Sequence, residues 1–159
     1  MKTQVMEELF EKIANKANEM IPEDWDKLFM YAEVSEGASE VFFYYYPKGK
    51  NTPIYSLDVV DVFEINEDEF DEMSMELNDY FEELREEFKK NKQEPWTNLT
   101  LTLESNGKFN IDYDYTDLSE ADSYEQHIVW RYKHLGMQPS PDRKRDVKII
   151  QEYLKKKEA

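Results

Sequence analysis

The chain has 159 residues, a net charge of −16 and no cysteine, and 14% of its side chains are aromatic. This aromatic content argues against disorder, and the length suits one domain with a buried core. The lack of cysteine excludes disulfides and thiol chemistry. The negative charge disfavours direct contact with nucleic acid or anionic membranes, so a partner attracted by charge would be basic.

No segment predicts a membrane span or a signal peptide. The longest apolar run, Val41–Tyr46, is far too short to cross a bilayer. The first residues carry charges instead of the apolar core of a signal peptide. We therefore expect a soluble, cytoplasmic protein formed by one domain over residues 1–159.

The first part of the chain predicts a helix followed by a β-hairpin. Apolar residues recur every three or four positions over Val5–Met20, which is typical of a helix with one buried side. That side comprises Val5, Leu9, Ile13, Ala17 and Met20, with Met6 and Phe10 beside it. Apolar residues alternate over Lys27–Val34, and Glu40–Tyr46 is aromatic on both faces, which indicates a central or covered strand. Within the ambiguous residues 54–65 we expect a short strand near Ile54–Leu57.

Residues 66–92 predict a long helix with two kinds of surface. One side is a packing stripe of apolar residues that face the core, and the other sides carry carboxylates. Asn66 followed by Glu69 is a start signal related to the capping box, and Pro95 prevents further helix. The packing stripe comprises Phe70, Met73, Leu77, Tyr80, Phe81, Leu84 and Phe88. The carboxylates on the other sides are either a solvated face that aids solubility or a docking surface for a basic protein.

A second hairpin follows this helix, and burial decides its register. A two-residue turn at Asn106–Gly107 would place leucines and aspartates on the same face. A three-residue loop over 105–107 instead pairs Leu103 with Phe109, and we predict this loop with Gly107 left-handed. The outer face of the hairpin then carries Glu104, Asp112 and Asp114 beside threonines.

Two further helices are predicted, Ser123–Leu135, which Gly136 ends, and Asp142–Lys157. The inner side of the last helix is expected to comprise Val147, Ile150 and Leu154. Residues 139–159 form a basic C-terminal segment with a net charge of +3, so the remaining chain carries −19. The order of elements predicts an α+β domain, in which an antiparallel sheet of about four to five strands is packed by helices.

No catalytic motif stands out. His127 and His134 are the only histidines, and without a nearby cysteine or HExxH pattern they favour structural roles over metal binding. Phosphate-binding loops, dinucleotide motifs and nucleophile elbows are all missing. Carboxylate pairs arise by chance in so acidic a chain, although a small carboxylate-based enzyme or ligand-binding domain is an alternative. We expect neither a cofactor nor a metal.

Several motifs resemble the YezG-like immunity protein family. They are Pro95–Leu101, Glu104–Phe109 with Asp112–Tyr113, Met20–Pro22 before Trp25, Tyr31–Val34, Glu83–Phe88, and Ser123–Glu125 leading to Trp130, Tyr132 and His134–Gly136. The resemblance covers nearly the whole chain, with the tail after Pro139 the least similar part. It implies a non-enzymatic, cytoplasmic antitoxin of bacteria, related to EsaG-like proteins, that binds and neutralises toxins of the type VII secretion system, notably nucleases.

Charge suggests how such an antitoxin binds. A nuclease needs a positive surface to hold phosphates, and an acidic chain is attracted to that surface at long range. Aromatic anchors would then slow dissociation. The carboxylates expected to face the cognate toxin are either Glu72, Glu76, Asp79, Glu83 and Glu86 on the long helix or Asp112 and Asp114 on the second hairpin, and the two sets need not form one patch. The candidate aromatic anchors are Tyr44 and Tyr46. An orphan immunity paralogue without an active toxin is a further alternative.

Overall fold

A computed structural model describes residues 2–158 as five α-helices and five β-strands. The helices are Gln4–Met20 (α1), Val59–Phe63 (α2), Glu67–Lys90 (α3), Ser123–Leu135 (α4) and Lys144–Glu158 (α5). The strands are Trp25–Ser35 (β1), Ala38–Pro47 (β2), Ile54–Tyr55 (β3), Asn98–Glu104 (β4) and Phe109–Asp114 (β5). A 3₁₀ turn, Ser56–Asp58, leads into α2.

The chain forms two compact units. The sheet and α1 to α3 lie in the first, which extends to Thr116, and α4 and α5 lie in the second, which starts at Asp117. The predicted α+β class, an antiparallel sheet packed by helices, is confirmed. That residues 1–159 make one immunity domain stays a prediction.

β1 lies at the centre of the sheet, whose strand order is β3-β2-β1-β4-β5. Met30 of β1 pairs with Phe43 of β2 on one side and with Leu101 of β4 on the other, and both pairings are antiparallel. Successive side chains of a strand point to opposite faces, so the sheet has a core face and an outer face. Buried residues on the core face include Leu28, Met30, Ala32, Val34, Phe43, Tyr45, Leu99, Leu101 and Leu103.

α1 and α3 cover the core face with their apolar sides. The predicted stripe of α3 is confirmed: Phe70, Leu77, Phe81, Leu84 and Phe88 are buried, and Met73 and Tyr80 are half-buried. The buried residues of α1 are Met6, Leu9, Phe10, Ile13, Ala17 and Met20. The prediction for Val5 was wrong, since it is 46% exposed. Leu9, Ile13, Ala17 and Met20 are buried as predicted, and the buried side extends to Met6 and Phe10 instead of Val5.

The β4–β5 hairpin has the predicted register. Leu103 pairs with Phe109, and Leu101 pairs with Ile111. Gly107 has a φ of +93°, a left-handed conformation that glycine adopts without strain. The three-residue loop therefore keeps the leucines on the core face.

Two other predictions need correction. The strand at Ile54 has only two residues, and the helix α2 that follows was not predicted. A five-residue helix leaves too short a periodic pattern to recognise in a sequence. On α5 the buried residues are Asp146, Ile149 and Ile150, whereas Leu154 is 37% exposed. Leu154 lies in the last turns of α5, beyond the buried stretch of the helix.

Candidate protein-binding surface

α3 turns its acidic side to solvent because its apolar stripe faces the core. Its start was predicted correctly: Asn66 is the N-cap, and its Oδ1 accepts a 3.0 Å hydrogen bond from the amide of Glu69. Four of the five predicted carboxylates of this helix are exposed, and we call them the acidic ridge: Glu72, Asp79, Glu83 and Glu86. Their spacing keeps them on one side of the helix, and Met75, which is 67% exposed, lies among them.

The fifth predicted carboxylate, Glu76, is held by a lysine of α1. Lys16 Nζ lies 2.6 Å from Glu76 Oε2 and 3.3 Å from Glu19 Oε2. The hydrogen bond to Glu76 is the main reason why the pKa of Lys16 is raised, although burial acts in the opposite direction. Because a cation lies so close, Glu76 contributes less than Glu72, Asp79 and Glu83 to the negative field outside the chain. Glu86 of the ridge also has a cation nearby, since Lys89 Nζ lies 3.4 Å from its Oε1.

An open groove of about 590 Å³ runs beside the acidic ridge, near the start of α1. Its lining comprises Val5, Asp79, Glu82, Glu83, Glu86, Glu87 and Lys90. Glu87 Oε1 accepts hydrogen bonds from Thr3 Oγ1 (3.1 Å) and from Asn91 Nδ2 (2.9 Å). Asp79 and Glu83 form no ion pair within the described chain, so their charges face the groove and solvent uncompensated.

Asp112 and Asp114 lie on the outer face of β5, whereas Tyr113 between them packs against the core. Asp114 accepts hydrogen bonds from Asn98 Nδ2 (3.1 Å) and from the amide and hydroxyl of Thr116. Burial alone would raise the pKa of Asp114, but these hydrogen bonds prevail and lower it. The predicted carboxylates therefore belong to two surfaces, on opposite sides of the sheet.

Sheet pairing places two further carboxylates in line with Asp114. Glu40 of β2 pairs with Glu33 of β1, and Asn98 of β4 lies between Glu33 and Asp114. We call Glu33, Glu40 and Asp114 the acidic row. Burial, and after it the charge of Glu33, raises the pKa of Glu40. Sequence reasoning missed this row because β1 and β4 are distant in sequence, and no local pattern indicates that they pair.

The two predicted tyrosine anchors differ in exposure. Tyr44 is only 4% exposed, and its ring stacks on Tyr55 at 4.8 Å between centroids. Tyr46 is half-buried, and Lys27 Nζ lies 5.1 Å from its ring centroid. In this conformation only Tyr46 presents ring surface to a partner. Both assignments stay predictions.

Both histidines lie on α4. Burial, with a smaller effect of the Arg131 charge, lowers the pKa of His127 to about 4, so this side chain is neutral at pH 7. The ring of His134 lies 5.3 Å from that of Trp130. Among residues 2–158, no three His, Asp or Glu side chains are arranged to hold a metal ion. No helix in the same range is long and apolar enough to span a bilayer.

Comparison with known proteins identifies relatives over almost the full length. The model of the family described as "Immunity protein YezG-like" matches residues 6–150. Immunity protein YezG of Bacillus spizizenii is 44% identical over 160 residues, which cover 99% of this chain and 98% of the relative. Immunity protein YezG of Bacillus subtilis is 39% identical over 151 residues, covering 94% and 99% of the two chains.

A third relative comes from a different genus. It is the type VII secretion system protein EsaG of Staphylococcus aureus, which is 31% identical over 156 residues and matches 96% of both chains. The family match spans the sheet, all five helices in part or in full, and both acidic surfaces. The chain belongs to the family of YezG-like immunity proteins.

Proposed function

We propose that this chain is an antitoxin that binds and neutralises a cognate toxin of the type VII secretion system in the cytoplasm of the producing cell. Its family membership and its likeness to EsaG support this proposal. The toxin is basic, with a nuclease domain as its active part. Inhibition is by binding, without enzymatic turnover.

The observation that carries the proposal is the acidic ridge. Glu72, Asp79 and Glu83 are exposed, and none of them has a cationic partner within the described chain. A field of one sign along a rigid helix exceeds what solubility requires. It also suits capture of a surface that evolved to hold phosphates, since such a surface is positive. Complementary charge accelerates encounter, which matters when the target is lethal.

The test compares two variants of equal net charge. The ridge variant carries Glu72→Lys, Asp79→Lys and Glu83→Lys, and the control carries Glu120→Lys, Glu152→Lys and Glu158→Lys at exposed positions outside the ridge. Both change the net charge from −16 to −10. We expect the ridge variant to bind the toxin domain encoded beside this chain's gene about tenfold to a hundredfold more weakly, and the control to bind within a few-fold of the wild type.

Nuclease assays with and without the chain complete the test. Equal losses in the two variants would contradict the role of the ridge while leaving the antitoxin role intact. A wild-type chain that leaves the toxin fully active at saturating dose would contradict the antitoxin role and favour an orphan paralogue. Turnover of a small molecule would favour the carboxylate-based enzyme, which requires acids that converge in a pocket.

A further inference from the structure

The two edges of the sheet are unequal. β3, at one edge, has two residues and is too short to template another strand. β5, at the other edge, has six residues, Phe109–Asp114, and pairs only with β4 in the described chain. A six-residue edge is long enough to add a strand, and proteins usually cover or disrupt such edges.

The hydrogen-bonding groups at this edge follow from the register. The amide of Glu104 donates to the carbonyl oxygen of Lys108 at 2.8 Å, so the backbone groups of Lys108 point towards β4. Alternation along an antiparallel ladder then turns Asn110 and Asp112 towards β4 as well. The N–H and C=O groups of Phe109, Ile111 and Tyr113 point away from β4, and no other described residue bonds to them.

The side chains of β5 alternate between the core face and the outer face of the sheet. On the core face, Phe109 is 44% exposed, and Ile111 and Tyr113 are half-buried. The core is therefore incompletely covered along this edge. On the outer face, Asp112 and Asp114 are exposed carboxylates. A strand that extends the sheet here would meet apolar surface on one face and negative charge on the other.

We propose that the β5 edge binds an extended segment of a basic protein partner as an additional strand. That segment would alternate apolar residues, beside Ile111 and Tyr113, with Lys or Arg beside Asp112 and Asp114. The carboxylates disfavour pairing of this edge with neutral or acidic strands and favour pairing with a basic strand. The same charges therefore protect the edge from aggregation and select a basic partner. The proposal rests on the proposed function, because the partner is the basic toxin.

Contacts within the first unit hold β5 in its strand conformation. The ring of Phe88 on α3 lies 5.0 Å from that of Tyr113, and Phe10 on α1 lies 5.6 Å from Phe109. Both helices thus support β5 from the core face. A pre-ordered strand binds with a smaller loss of conformational entropy than a flexible one.

Amide hydrogen exchange at single-residue resolution tests the proposal on the wild-type chain, alone and with the toxin domain encoded beside its gene. The amides of Phe109, Ile111 and Tyr113 should exchange fast in the free chain and at least about tenfold more slowly in the complex. The amides of Asn110 and Asp112, which face β4, should be protected in both states and serve as the internal control.

A pair of variants distinguishes the contribution of the Ile111 N–H to binding from that of the Ile111 side chain. Ile111→Pro removes an outward N–H and no bond of the β4 ladder, whereas Ile111→Ala removes only side-chain atoms. We expect Ile111→Pro to bind the toxin domain about tenfold more weakly than Ile111→Ala, because the added strand then finds no N–H donor at position 111 and meets the proline ring there. The exchange measurement needs no variant, so it remains decisive if Ile111→Pro fails to fold.

The outcomes are distinct. If the complex forms and the nuclease is inhibited, but the three outward amides exchange as fast as in the free chain, strand addition is wrong and the proposed function stands. If they are already protected in a free chain that sediments as a dimer, a second copy occupies the edge, which also overturns the proposal. If no complex forms and the nuclease stays active, both proposals fail.

Discussion

Carboxylates of the same chemical type occupy three different environments in this chain. Glu76 lies against a lysine, with 2.6 Å between Lys16 Nζ and Glu76 Oε2. Asp114 accepts hydrogen bonds that lower its pKa against the effect of burial. Glu40 lies opposite Glu33, and burial together with that charge raises its pKa. The net charge therefore does not show which carboxylates stabilise the fold and which oppose it.

Glu40→Gln should stabilise the chain at about pH 7 by up to about 1 kcal/mol, since like charges directly opposite each other on two strands destabilise a sheet. The raised pKa of Glu40 means that its ionised form costs native stability. That cost is complete above the raised pKa and disappears as the pH falls below the ordinary glutamate range. Urea unfolding at about pH 7 and about pH 4 should thus show a clearly larger gain at the higher pH.

Glu11→Gln is the matched control for this prediction, because Glu11 is an exposed carboxylate on α1 away from the acidic row. It reports the general effect of removing one negative charge from the chain. If Glu11→Gln and Glu40→Gln raise the free energy of unfolding equally, the repulsion between Glu33 and Glu40 contributes nothing specific.

At the scale of elements, the sequence predicted those features that local burial decides. The β4–β5 register followed from keeping Leu103 and Phe109 on one face, and α4 ended at Gly136 as expected. The start of α3 at Asn66 and its buried stripe were also predicted, because helical spacing and capping are local signals.

Features that depend on distant parts of the chain could not be predicted in this way. The pairing of β1 with β4 has no local signal, so the acidic row and the open β5 edge were missed. The same limit applies to Glu76, since its lysine partner comes from another helix. Tyr44 is buried and stacks on Tyr55 of the short strand β3, an arrangement with no local signal, and its role as an anchor stays a prediction.

The capping of α3 gives a prediction at this scale. Asn66→Ala removes the acceptor of the 3.0 Å bond from the amide of Glu69 and should lower the free energy of unfolding by about 1 kcal/mol. The control is Asn15→Ala at an exposed interior position of α1, which should be neutral or stabilise by a few tenths of a kcal/mol. Equal effects of the two substitutions in urea unfolding would show that the Asn66 cap does not stabilise α3.

For the whole molecule, the question is whether total charge or its placement governs encounter with a basic partner. The chain carries −16 in total, while residues 139–159 carry +3, so the charge is strongly uneven. A field acts over roughly 10 Å at 0.1 M salt and only about 3 Å at 1 M. Steering by the acidic ridge should therefore be strong in dilute buffer and weak in concentrated salt.

We expect the association rate constant of the wild-type chain with the toxin domain to fall at least about tenfold between about 20 mM and about 500 mM salt, with little change in the dissociation rate constant. The ridge variant and its control, both of net charge −10, separate placement from total charge. If placement governs steering, only the ridge variant should associate slowly at low salt and respond weakly to added salt. Stopped-flow association curves that coincide for the two variants would instead make total charge the determinant.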